Sequence, residues 1–114
     1  MKAHNITRNQ TLIEQGKIAD NAWTRLKGLI GHRPLEAGEG LMIKPCNSVH
    51  MFFMSFPIDV VYVSDGGEVV GLARELRPYR IGPIIREASF VLELPAGTIE
   101  KTATQPGDRV VVEC

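Results

Sequence analysis

Cys46, Ser48 and His50 recur at every second position in the run Pro45-Cys46-Asn47-Ser48-Val49-His50-Met51-Phe52-Phe53-Met54, and Asp59 follows inside an apolar segment. A thiol, an imidazole and a carboxylate are groups that nucleophilic catalysis and metal ligation use. In that chemistry Cys46 is the nucleophile, His50 activates it, and Asp59 is the orienter or a third ligand. If 46–54 is extended, Cys46, Ser48, His50, Phe52 and Met54 share one face, and Val49, Met51 and Phe53 the other. Four residues along a strand span about 13 Å, too far for a direct Cys46–His50 hydrogen bond. A turn at Pro45-Cys46-Asn47 is then required. The spacing favours the structural alternative, in which Cys46 is a small core hydrophobe and His50 and Asp59 satisfy buried backbone groups.

A second group is basic. Arg74, Arg77, Arg80 and Arg86 surround Pro78, offset in part by Glu75 and Glu87. Guanidinium groups gathered in this way can receive an anion or a carboxylate. Arg25 and Arg33 flank a predicted helix and can join the same surface. His4 and His32 lack ligand neighbours and read as surface residues. The sequence has no GxGxxG, GxxxxGK or HExxH pattern, so neither a metal nor a cofactor is expected.

These residues need elements to hold them. Every valine lies between Val49 and Val112, and branched side chains suit a pleated, half-buried surface, so this part is predicted to be strand-rich. Ile58–Ser64 and Glu68–Leu76 flank Asp65-Gly66-Gly67, which predicts a hairpin. Ser89–Leu94 alternates, with Phe90, Leu92 and Leu94 on one face and Val91 and Glu93 on the other. In 109–113, Val110 and Val112 are expected inward, after a turn at Pro106-Gly107-Asp108. Residues 11–19 suggest a hairpin, or two short strands broken at Gln15-Gly16. Asp20 is the expected N-cap of a short helix near residues 20–31, carrying Ala22, Trp23, Leu26, Leu29 and Ile30 at helical spacing. Residues 32–40 and 78–83 read as loops.

One short helix among roughly seven or eight strands cannot cover both faces of a flat sheet. The expected fold is mainly β: a single compact antiparallel β-barrel or sandwich filling the whole chain. With 114 residues there is room for one core. Thirteen basic side chains cancel 13 acidic ones, so no broad positive field gathers nucleic acid. The apolar runs fall far short of the roughly 20 residues of a membrane helix, and residues 1–20 contain no signal-peptide stretch. Cytoplasmic location without membrane association is the expectation, which disfavours a Cys46–Cys114 bridge.

The order of these fragments resembles the prokaryotic domain-of-unknown-function family numbered 192. The resemblance rests on Gly40-Leu41-Met42-Ile43, Pro45–Met54, Phe56–Val63, Leu76-Arg77-Pro78-Tyr79-Arg80, Val91-Leu92-Glu93-Leu94-Pro95-Ala96-Gly97 and Gly107-Asp108. It implies a small β-barrel-like or sandwich-like domain with no established activity or agreed catalytic residues. It also directs attention to Arg25, Gly28, Arg33, His50, Asp59, Pro78, Arg80, Glu93 and Gly97, positions at which members resemble one another. Tyr79 stands where the family commonly has Trp, and position 50 is often Trp in more distant members. That variation weighs against His50 as an obligatory base.

The favoured expectation is a binding module. Its candidate pocket comprises Arg25, Arg33, Cys46, His50, Phe52, Asp59, Tyr79, Arg80 and Glu93, and takes a small polar or anionic ligand or a peptide end. An enzyme using Cys46 and His50, with Asp59, is one alternative; a domain presenting an apolar surface to a protein partner is the other. The sequence sets neither the ligand nor the oligomeric state.

Overall fold

The computed structural model describes residues 1–21, 24, 29, 33–49, 51 and 54–114. Among them run β1 (Lys2–Asn5), β2 (Gln10–Ile13), β3 (Gln15–Ala19), β4 (Glu39–Ile43), β5 (Ile58–Val63), β6 (Val69–Leu76), β7 (Phe90–Pro95), α1 (Thr98–Thr102) and β8 (Val110–Glu113). The strands form a three-stranded sheet in the order β2-β1-β8 and a five-stranded sheet in the order β3-β4-β7-β5-β6. The protein is mainly β, as expected, and its two sheets do not close into a barrel.

The larger sheet is covered on both faces, which explains why all six residues of β5 are buried. Val61, Val63, Phe90, Leu92 and Leu94 point into a core completed by Ala3, Leu12, Ile13, Val110 and Ile99 from the smaller sheet and α1. Ile58, Val60, Tyr62 and Val91 point the other way, into a second core closed by Val49, Met51, Met54 and Phe56 from irregular chain. Among the described residues, irregular chain rather than a sheet covers that second face.

The predicted Asp65-Gly66-Gly67 hairpin joins β5 and β6, which pair antiparallel. Gly67 sits at φ 90°, and a Cβ there would come within 2.8 Å of the Val110 carbonyl oxygen. The Val110 N–H donates to the Gly67 carbonyl at 2.7 Å, and Val69 and Gly107 extend the contact. This hairpin therefore ties the two sheets together. Gly67→Ala is expected to cost about 2–4 kcal/mol, from left-handed strain plus backbone displacement. Urea unfolding checks it, and a loss below about 0.5 kcal/mol would contradict this role.

Three expectations need correction. The break between β2 and β3 falls at Glu14 rather than Gln15-Gly16: Glu14 and Gln15 both donate to the Gly38 carbonyl, and the chain changes sheets there. The neighbours are not all antiparallel, because β3 and β4 pair in parallel; residues 20–38 supply the long connection such a pair needs. Most of the predicted 20–31 helix lies outside the described residues. Thr24 is helical, but Asn21 rather than Asp20 caps it: Asn21 Oδ1 accepts the Thr24 N–H at 2.9 Å. Position 21 lies three residues before Thr24, the spacing a capping side chain spans. The helix with defined bounds, α1, follows β7, where the sequence showed only Pro95-Ala96-Gly97.

Near the chain ends, Asp108 Oδ2 accepts from Asn5 Nδ2 at 3.0 Å, Arg8 Nε at 2.9 Å and the Gln105 N–H at 3.0 Å. Burial works to raise the Asp108 pKa, but Arg8, Asn5 and Gln105 outweigh it and hold the carboxyl below its ordinary value. The group is a clasp between β1 and the turn before β8.

Candidate functional site

The site begins at Glu93, in the middle of the central strand β7. Its register partners are Leu41 on β4 and Val60 on β5. Strand alternation turns Leu92 and Leu94 into the first core, so Glu93 and Val91 face the loop-covered side. Glu93 is only 5% exposed. Its carboxyl makes no hydrogen bond among the described residues, and burial pushes its pKa up to about 7.

Tyr62 lies on β5, opposite Val91. Its hydroxyl donates to the Pro83 carbonyl at 2.9 Å. Burial, with the charges of Cys46 and Glu93 adding to it, raises the phenol to about 12. Cys46 is half-buried, and its thiol donates to the Ser48 carbonyl at 2.9 Å. It and Cys114 are both thiols.

The covering chain is held by its own backbone ladder. Ile85 donates to Asn47 and Gly82 to Val49, each at 2.9 Å; Tyr79 donates to Met51 and Met51 to Arg80, each at 2.7 Å. Segment 47–51 is thus zipped to segment 79–85, although neither belongs to a named strand. Val49 and Met51 enter the core from this ladder. Gly82 permits the approach, because a Cβ there would meet the Tyr62 hydroxyl at 2.7 Å. Tyr62→Phe is expected to cost about 1 kcal/mol and to speed amide exchange in 79–85. Unchanged exchange there would show that the Pro83 contact does not hold the ladder.

The residues singled out in the sequence divide as follows. Glu93 faces the loop-covered side of β7, where Tyr62 belongs to the second core and Cys46 packs against it. Tyr79 and Arg80 are exposed on the ladder above. Arg33 forms a two-pronged pair with Glu39, at 2.7 Å in each arm. Asp59 faces the opposite side of the sheet: Oδ1 accepts the Glu75 N–H at 2.8 Å, and Oδ2 accepts those of Gly97 and Ile99 at 3.1 and 2.8 Å. Arg25, His50 and Phe52 lie outside the described residues. Tyr62 was not singled out; a phenol in the aliphatic run Ile58–Val63 was the available signal, since a buried hydroxyl needs a partner. Among the described residues, no three His, Cys, Asp or Glu side chains could together hold a metal ion. No helix among them is long and apolar enough to cross a membrane.

Fold and site together define a two-sheet β protein with a buried acid on the loop-covered face of its larger sheet. The chain belongs to the DUF192 family, described as an uncharacterised ACR, whose model matches residues 4–112. A UPF0127 protein of Pyrococcus furiosus is 32% identical over 111 residues, covering 93% of each chain. A UPF0127 protein of Thermococcus sibiricus is also 32% identical, over 93% of this chain and 71% of that one. The fold matches a solved protein of unknown function from Novosphingobium aromaticivorans with a TM-score of 0.84, at 21% identity over 97% of this chain and 82% of that one. It also matches a structure titled a putative transcription regulator from Sinorhizobium meliloti, with a TM-score of 0.82 at 22% identity over 96% and 89%. These two likenesses concern the fold alone.

Proposed function

We propose that the chain is a single-domain binding module whose site is the loop-covered face around Glu93. The ligand is a small molecule or peptide end with an N–H or cationic group for Glu93. Its acidic group is received by the arginines of the adjacent 77–86 stretch, Arg80 foremost. One observation carries this reading: a carboxyl 5% exposed with no hydrogen bond among the described residues. An acid retained there costs stability, and a ligand donor would offset that cost. Cys46, whose thiol donates to the Ser48 carbonyl, lines the site, and Asp59 stands outside it as a backbone acceptor. Two thiols fit the reducing cytoplasm.

The test is a chemical-shift screen at pH 7 with glycine, β-alanine, arginine, diglycine and acetate. At least one amino-bearing compound is expected to move the Tyr62, Glu93 and Met51 amides, with acetate alone inert. Glu93→Gln should weaken that binding at least tenfold. Silence across the panel, or equal binding by Glu93→Gln, would count against the proposal.

A further inference from the structure

Beyond the Glu93 site, the outer side of the ladder is itself unusual. Tyr79, Ile81 and Ile84 are 66%, 65% and 69% exposed. Arg74, Arg77, Arg80 and Arg86 are all exposed along the same stretch. None of these four arginines forms an ion pair among the described residues, whereas Arg8 and Arg33 are both paired with acids. Residues 74–86 hold four basic side chains against the single acid Glu75.

The surface is also preformed. The backbone bonds of Tyr79, Arg80, Gly82 and Ile85 to segment 47–51 fix this stretch before any partner arrives. Binding to a surface already ordered avoids the cost of ordering a loop. Large exposed apolar side chains within the same short stretch as guanidinium groups that lack an ion pair among the described residues match the anchors and charged surround of a protein interface.

We infer that the 74–86 stretch is a docking surface for an acidic protein segment carrying apolar or aromatic side chains. Charge complementarity selects this occupant. All four cations are arginines, whose planar forks pair with carboxylates through two parallel bonds. Ile81, Ile84 and Tyr79 supply contact area between those pairs. A second copy of this chain would bring the same positive charge against itself, and a protein of zero net charge has no broad field to hold a bilayer.

The experiment selects a random twelve-residue peptide display library on the full chain, then measures a synthetic representative of the enriched peptides. Two surface variants accompany it: Ile81→Ser with Ile84→Ser, and Arg77→Glu with Arg80→Glu, each confirmed folded by its amide spectrum. Enriched peptides are expected to be acidic and to contain aromatic or aliphatic residues. The representative should lose at least tenfold in affinity with either variant, and should bind more weakly as salt rises. Failure to enrich, enrichment of basic peptides, or binding indifferent to both variants would overturn the inference. So would co-sedimentation with phosphatidylserine vesicles in place of peptide binding. Arg80 serves both readings, but Ile81→Ser with Ile84→Ser tests the docking surface alone and Glu93→Gln tests the small-molecule site alone, so either proposal can fail without the other.

Discussion

Asp59→Ala is expected to lower the unfolding free energy by about 4 kcal/mol, the largest loss from any single polar side chain described above. The residue is almost wholly buried, and its two oxygens accept three backbone N–H groups. A hydrogen bond to a charged group contributes about 1.5–3 kcal/mol, and an abandoned buried donor adds its own penalty, though such terms do not sum. The donors explain the size of the effect. Glu75 adopts φ 46° at the end of β6, Gly97 adopts φ 95°, and Ile99 opens the buried side of α1. One carboxylate thus holds two left-handed residues and the start of a helix that has no side-chain cap of its own. Asp59→Asn keeps one acceptor oxygen and should lose about half as much. Urea unfolding measures both, and amide exchange should rise first in Thr98–Thr102. A loss under 1 kcal/mol for the alanine variant would mean that water already serves these N–H groups.

Glu93 predicts the opposite kind of result. Its pKa is pushed up by burial to about 7 from an ordinary 4.5. Between those values the folded chain keeps a proton that the unfolded chain has released, so stability falls as pH rises through the window. Above it the loss levels off at about 3 kcal/mol relative to pH 4. Glu93→Gln carries no proton to release and should show none of this component, so the difference between the two stability profiles isolates it. Glu93→Leu should be more stable than the natural protein at pH 8 while losing the proposed ligand. Parallel profiles for the natural chain and Glu93→Gln would remove the argument for an acid whose pKa is raised by burial.

How far the sequence reveals this molecule depends on the range of the interactions involved. The hairpin around Asp65-Gly66-Gly67 and the alternation of β7 are local patterns, and both appear where expected. Sheet assignment is not local: β2 and β3 are adjacent in sequence yet join different sheets, because Gly38 supplies the carbonyl that turns the chain at Glu14. The helix Thr98–Thr102 was hidden for a related reason. Its N–H acceptor is Asp59, about forty residues earlier, and its own five residues show no long apolar period. The unusual positions of Asp59 and Glu93 were visible as acids among aliphatic residues. Their opposite uses were not, because facing direction follows from strand register. Asp59 points towards α1 and its backbone donors; Glu93 points towards loops that offer its carboxyl no donor among the described residues.

Everything proposed for the binding face rests on that carboxyl being 5% exposed and without a hydrogen bond among the described residues. Labelling the glutamate side chains with carbon-13 and following the Glu93 carboxyl signal from pH 3 to pH 9 observes it directly. The expected midpoint is about 7, and it should fall when an amino-bearing ligand is bound. A midpoint near 4.5 would show a solvated or already paired carboxylate, and would contradict Glu93 as the acceptor awaiting a ligand.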